Sequence, residues 1–207
     1  MGTARDSELT RQKIVQAAGQ LFAKSGFSAV TVRDIVGRAD THLSALNYHF
    51  KSKEGLYREV VLEACTKASI SPDYKQQLLR LDPSKALFIL VQEYLNKFDN
   101  RETSNWQIVI IAREVREPSQ VFAEVVQNYL KPETDFVAKI LEKIVELPAD
   151  AHQVRFAVLT MMGLLETFSL YGHLLDEIAP NLAANYKQKG KLAEKIVQLV
   201  IEAAQTA

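Results

Sequence analysis

The chain contains a single cysteine, Cys65, among 207 residues. No intrachain disulfide can form, and the composition suits a reducing compartment. Cys65 lies within an apolar helical pattern and reads as a buried, inert thiol. A membrane span is also missing. The longest apolar run, around residues 156 to 171, is short and interrupted by Glu166. Residues 1–8 are polar and lack the apolar stretch of a signal peptide, so a cytoplasmic protein is expected. The usual marks of catalysis are absent too: no G-x-S-x-G, no H-E-x-x-H, no phosphate-binding glycine loop and no cysteine cluster. The expectation is a protein that is not an enzyme and carries no cofactor or metal. His173, Asp176 and Glu177 lie close together, but a histidine near a helix C-terminus is more simply a favourable charge.

Only eight glycines and six prolines accompany an apolar fraction of 47%, which leaves ample material for a buried helical core. Helical periodicity dominates and no segment reads as a strand, so the expected fold class is all-α. A polar, mobile tail covers residues 1–10. A helix follows from about Arg11 to Ser25, with Ile14, Val15, Ala18, Leu21 and Phe22 on one face, and Gly26 ends it. Thr31 caps a two-turn helix, with Asp34 near its positive end. A third helix runs from about His42 to Phe50, and Ser52 caps a fourth.

Residues 69–84 read as a connection with a short helix at Tyr74 to Leu81. Further helices are expected from a cap at Ser84 to about Asn100 and from Ser104 to Arg116. A long one starts near Ser119, bends at Pro132 and stops before Pro148. The last two run from Asp150 to about Leu175 and from Lys189 to Ala204.

Net charge is zero, with 25 basic and 25 acidic residues, which on its face speaks against a nucleic-acid partner. The distribution speaks for one. Residues 1–55 carry eight Lys and Arg against five Asp and Glu, and residues 56–207 carry 17 against 20. One end is modestly basic and suited to phosphates. That end also has two short helices joined by a tight turn, the arrangement that lays one helix into a DNA groove.

The helix ending in Gly26-Phe27, the Thr31-Val32-Arg33-Asp34-Ile35 segment and the run Tyr48-His49-Phe50-Lys51-Ser52-Lys53-Glu54-Gly55-Leu56-Tyr57 together resemble the N-terminal domain of the TetR family of transcriptional regulators. The resemblance covers residues from about 10 to 60. Arg113-Glu114-x-x-x-Pro118-Ser119 and Met161-Met162-Gly163 are similar to one subset of that family. The resemblance implies a helix-turn-helix domain at 11–55 and a helical ligand-binding and dimerisation domain at 56–207. It implies a palindromic double-stranded operator bound by a homodimer, released by a small molecule of unknown identity, with repression as the outcome.

Carried over by position, Arg33 reaches a base edge, His49 and Lys53 bind backbone phosphates, and Tyr48 is a groove-side contact or a packing residue. Thr31 stands at the start of the same surface. The chain departs from the family pattern at Asp40, where glycine is usual, and at Thr41, His42 and Asn47. Asp tolerates the left-handed region that the turn needs, and Thr41 is expected to cap the third helix in place of His42. That helix has no Lys or Arg, so base reading falls to His42, Leu43, Ser44 and Asn47.

In the body, Val158, Leu159, Met162, Leu165 and Phe168, with Leu192, Ile196, Leu199 and Val200, supply an apolar surface for core and dimer face through the last two long helices. Phe88, Trp106, Ile110, Arg113, Met161, Phe168 and Tyr171 combine aromatic walls with polar handles, the makeup of a small-molecule site. Glu166 joins them as an acid inside an apolar helix. An alternative is a DNA-binding scaffolding or architectural protein with no small-molecule effector.

Overall fold

The computed structural model describes residues 4–97 and 105–206, and every regular element among them is helical. In order these are α1 (Ala4–Ser25), α2 (Val32–Arg38), α3 (Leu43–Phe50), α4 (Lys53–Ala68), α5 (Pro72–Leu78), α6 (Pro83–Lys97), α7 (Trp106–Arg116) and α8 (Phe122–Val125). A π-helical turn, Val126–Leu130, leads into α9 (Lys131–Val145), α10 (His152–Leu170), α11 (Gly172–Ile178), α12 (Pro180–Asn185) and α13 (Lys189–Thr206). No single helix among them is long and apolar enough to cross a membrane. Two compact units emerge, residues 1–68 with 105–129, and residues 69–104 with 130–207. The unit that holds residues 11–55 therefore extends through α4 and takes in α7 and α8.

In the first unit, Ile14, Ala18 and Phe22 of α1, Ile35 of α2, Leu46 of α3, and Leu56, Val60 and Val61 of α4 are buried together with Trp106 and Ile110 of α7. Each such side chain contributes about 1.5–3 kcal/mol by leaving water. Gly19 lets α1 and α7 meet, since a Cβ there would lie 2.5 Å from the Trp106 ring. The indole Nε1 donates to Gln16 Oε1 at 3.1 Å. Helix α1 starts at Ala4, several residues before the expected Arg11, so the residues placed in a tail are helical from Ala4 onward. Their polarity hid good helix formers in register: Gln12 donates to Glu8 at 3.1 Å and Arg11 lies 3.8 Å from the same carboxylate.

In the second unit, α6, α9, α10 and α13 enclose one core. Leu87 and Leu90 of α6, Ile140 and Leu141 of α9, Val154 and Ala157 of α10, and Ile196 and Val200 of α13 are within 1% of full burial. Four expectations are corrected here. Asp82, not Ser84, caps α6: its carboxylate accepts from Lys85 N at 3.0 Å, and Pro83 takes the first helical position. The expected bend at Pro132 is a π turn just before it, because proline cannot donate to the preceding turn and its ring crowds the carbonyl there. The helix expected from Asp150 to Leu175 breaks at Tyr171, where α11 departs at 83°; Gly172, a poor helix former, is buried at the break. Helix α12, opened by Pro180, falls where no helix was expected. The expected ends at Asn100 and Ser104 lie outside the described residues.

Candidate nucleic-acid interface

Helix α2 is defined at its start by a capping box. Thr31 Oγ1 accepts from Asp34 N at 3.2 Å, and Asp34 Oδ2 accepts from Thr31 N at 2.9 Å and from the Thr31 hydroxyl at 2.7 Å. The hydroxyl bond, then the amide bond, hold the Asp34 carboxyl below its ordinary value. At the other end the chain turns through a Schellman arrangement. Thr41 N donates to Val36 O at 3.0 Å and Asp40 N to Gly37 O at 3.4 Å, with Asp40 at φ +49°. Asp40 thus occupies the left-handed position that its residue type tolerates, at a strain of roughly 1 kcal/mol.

Helix α3 then begins at Leu43, with His42 as N-cap and no side-chain cap bond. The expected cap by Thr41 is not formed; Thr41 is the residue after the left-handed turn, and its amide is committed to closing α2. Leu46 and Phe50 anchor the buried face of α3. His42, Leu43, Ser44, Asn47 and Tyr48 are exposed. Tyr48 is 79% exposed, which settles it as a surface residue and not a packing one.

The step into α4 is equally constrained. Lys51 sits at φ +65°, Ser52 Oγ accepts from Gly55 N at 3.1 Å, and a Cβ at Gly55 would stand 2.3 Å from the Phe50 carbonyl. Only glycine allows this approach, so Gly55 follows from geometry. Arg11 ties α1 to α4 through Glu59 at 2.7 Å.

Arg33 on α2, and Lys51 and Lys53 just after α3, belong to the same unit and are in no salt bridge among the described residues. Arg33 and Lys51 are exposed. Lys53 rests its Nζ over the Phe27 ring, 4.2 Å from the centroid. His49 is half-buried between Tyr48 and Phe50. Arg38 is tethered by Gln20 at 3.0 and 2.7 Å. The structure therefore brings Thr31, Arg33, His42, Leu43, Ser44, Asn47, Tyr48, His49 and Lys53 into one unit. Sequence reasoning overlooked Lys51, although the Lys51-Ser52-Lys53 spacing carried the signal.

The residues expected around a small molecule divide between the two units. Trp106, Ile110 and Arg113 belong to the first, where Trp106 and Ile110 are fully packed. Phe88, Met161, Phe168 and Tyr171 belong to the second; Met161 is buried, Phe88 and Phe168 pack against the core, and Phe168 makes an edge contact with Tyr186 at 5.9 Å. Glu166 is exposed on α10. On the same helix Phe156, Leu159 and Met162 are 56%, 64% and 38% exposed, an apolar stripe at helical spacing.

Glu114, which sequence reasoning left without a role, is fully buried on α7. Its Oε2 accepts from the Tyr57 hydroxyl at 2.7 Å, and its Oε1 accepts from Ser119 N and Oγ at 2.9 and 2.8 Å. Burial, and then this bond, push the Tyr57 phenol well above its ordinary value. The Arg113–Ser119 segment noted in the sequence is thus the joint between α7 and α4.

Residues 14–60 match the model of bacterial regulatory proteins of the TetR family. Residues 83–204 match that of the C-terminal domain of the HTH-type transcriptional dual regulator CecR. The chain is 28% identical over 144 residues to the probable HTH-type transcriptional regulator YttP of Bacillus subtilis, covering 65% of this chain and 64% of that protein. It is 23% identical to the HTH-type transcriptional regulator AcrR of Shigella flexneri, covering 80% and 81%. The matches to YttP and to the Staphylococcus aureus regulator QacR span 64% and 43% of those relatives, less than two thirds of either. A TetR-family regulator structure from Bordetella parapertussis superposes with a TM-score of 0.68 at 19% identity, over 93% of this chain and 94% of that one. With both parts matched, the chain belongs to the TetR family of bacterial regulatory proteins.

Proposed function

We propose that the protein is a ligand-responsive transcriptional repressor that binds a palindromic operator as a homodimer. One observation carries this reading. Helix α3 is held by α2, a left-handed turn at Asp40 and the Gly55 close approach, with its polar face exposed, in a unit that also carries Arg33, Lys51 and Lys53 without salt-bridge partners among the described residues. In a helix-turn-helix the second helix enters the major groove and its N-terminal residues meet base edges. Here those are His42, Leu43, Ser44 and Asn47. Arg33 reads a base from the start of α2, while Lys51, Lys53 and His49 fix the register through phosphates.

The exposed stripe of Phe156, Leu159 and Met162 on α10, with α13 beside it, serves as the dimer face. The effector is a small molecule bound by the helical body, with Phe88, Met161, Phe168 and Tyr171 as walls. It releases DNA by favouring an arrangement of the two reading heads that does not match the half-site distance. The relatives' names as transcriptional regulators, the lone reduced thiol of Cys65 and the need to meet DNA support a cytoplasmic protein.

Selection of bound sequences from a random duplex pool tests the reading. The expected outcome is an inverted repeat. For Arg33→Ala the expected outcome is loss of discrimination at one position per half-site, by roughly 1–3 kcal/mol. A pool that stays random rejects the operator reading, and an unchanged base preference rejects Arg33 as a reader.

A further inference from the structure

The first unit contains a cleft of about 470 Å³, lined by Phe27, Tyr57, Arg113, Ser119, Glu54 and Glu117 among others. Its size suits a small molecule. We propose that this cleft is a binding site for a small carboxylate bearing a flat apolar or aromatic group, separate from the effector region of the second unit.

Arg113 is the starting point. Its side chain is 28% exposed, and its Nε is buried with no hydrogen-bond partner. Its only ion pair among the described residues is with Glu117, at 3.6 Å, and the Glu117 side chain is 74% exposed. That separation is too long for a hydrogen bond, and a solvated surface carboxylate holds its partner weakly. The buried carboxylate next along the chain, Glu114, accepts from Tyr57 and Ser119 and makes no ion pair with Arg113 among the described residues. Glu54 also lines the cleft; the amide at the start of α4, then the Ser52 hydroxyl, hold its carboxyl below its ordinary value, and it makes no ion pair with Arg113 among the described residues. A guanidinium that lines the cleft thus has the exposed Glu117 as its one ion-pair partner among the described residues. The group that fits the planar fork of a guanidinium is a carboxylate, held by two parallel bonds.

The rest of the occupant is set by the walls. The Phe27 and Tyr57 rings stand 5.1 Å apart at 67°, forming an apolar corner in which a flat ring meets one face and one edge. Ser119 lines the cleft as well, its hydroxyl bonded to Glu114 and Val121 N. Gly26 keeps the approach open: at φ +80°, it brings the backbone against Arg113, and a Cβ there would lie 3.1 Å from Nη1. The ring of Phe27 also carries Lys53, so an occupant and a phosphate-binding lysine share one wall.

The test is calorimetric titration of the full chain with benzoate, phenylacetate and 2-naphthoate, and with 2-naphthamide as the neutral counterpart. The expected result is saturable binding of at least one carboxylate, one per chain, with the amide weaker by roughly tenfold or more. Arg113→Gln should weaken it by roughly tenfold to a hundredfold. Glu117→Gln, at a solvated position that leaves the fold intact, should strengthen it by roughly two- to threefold by removing the competing carboxylate. Phe168→Ala should leave it unchanged. Absence of saturable binding by all three acids overturns the proposal, as does equal binding of the amide or binding that survives Arg113→Gln. Binding abolished by Phe168→Ala instead of Arg113→Gln would place the ligand in the second unit, overturning this proposal while sparing the effector reading.

Discussion

Replacing Glu114 by alanine is the sharpest perturbation of the first unit. The carboxylate is fully buried and accepts three hydrogen bonds, one from Tyr57 and two from Ser119. The substitution leaves the Tyr57 hydroxyl inside the protein with no acceptor, at a cost of about 1–3 kcal/mol, and removes bonds to a charged group that contribute about 1.5–3 kcal/mol each. Ser119 is half-buried and recovers part of its loss through water. Counting the Tyr57 bond once, as the unsatisfied donor, a net destabilisation of about 2–5 kcal/mol follows. That is a large share of the stability of a typical domain, about 5–15 kcal/mol.

Urea unfolding followed by circular dichroism reads it. Tyr57→Phe should cost about 1–3 kcal/mol, because the carboxylate keeps its Ser119 bonds. The double variant should cost clearly less than the sum of the two, since both changes remove the same bond. A loss below about 1 kcal/mol for Glu114→Ala, or strict additivity of the pair, would show that Glu114 does not join α7 to α4 and would refute the reasoning.

Gly55→Ala should destabilise by at least about 1–3 kcal/mol and displace α4 from α3, because its Cβ would meet the Phe50 carbonyl at 2.3 Å; thermal unfolding and DNA affinity both report it. Asp40→Gly should stabilise by up to about 1 kcal/mol, since φ is +49° there; an unchanged or lower Tm refutes the strain. Burial, and then the charge of Glu114, push the Cys65 thiol from its ordinary 9.0 up to about 12. Stability linked to the neutral thiol should be fully present below pH 9 and decline as pH rises toward 12, and iodoacetamide should label Cys65 only on unfolding; rapid labelling of the native protein would contradict this. Lys53→Ala should weaken binding to all DNA sequences alike and make the salt slope shallower by about 0.9; an unchanged slope removes Lys53 from the phosphate contacts.

What could be read from the sequence was whatever is decided within a few residues. Thr31 and Asp34 form their capping box whatever surrounds them, and Gly26 and Asp40 sit at the left-handed positions their residue types tolerate. The helical phase of Ile14, Ala18 and Phe22 located the buried face of α1. Local competition between two caps was harder. Asp82 and Ser84 are both good caps, and Pro83 decided between them. The break at Tyr171 and the π turn before Pro132 have local causes, Gly172 and the proline ring, but a proline or glycine leaves open whether a helix bends, shifts to a π turn or breaks. The Glu114 network was beyond reach for a further reason. Its phenol partner lies 57 residues away in the chain, and periodicity carries no information at that separation. The expected small-molecule walls are drawn from both units, Trp106 from the first and Phe88 from the second, a division that composition does not reveal.

The central claim is that the exposed face of α3 reads DNA as part of a repressor. The most direct measurement is a gel-shift titration of the purified protein against the DNA flanking its own gene, at low salt and at increasing salt. The expected result is a retarded complex whose affinity falls linearly on a double-logarithmic salt plot and which is lost in Arg33→Ala with Asn47→Ala. No retarded band at low salt would contradict it.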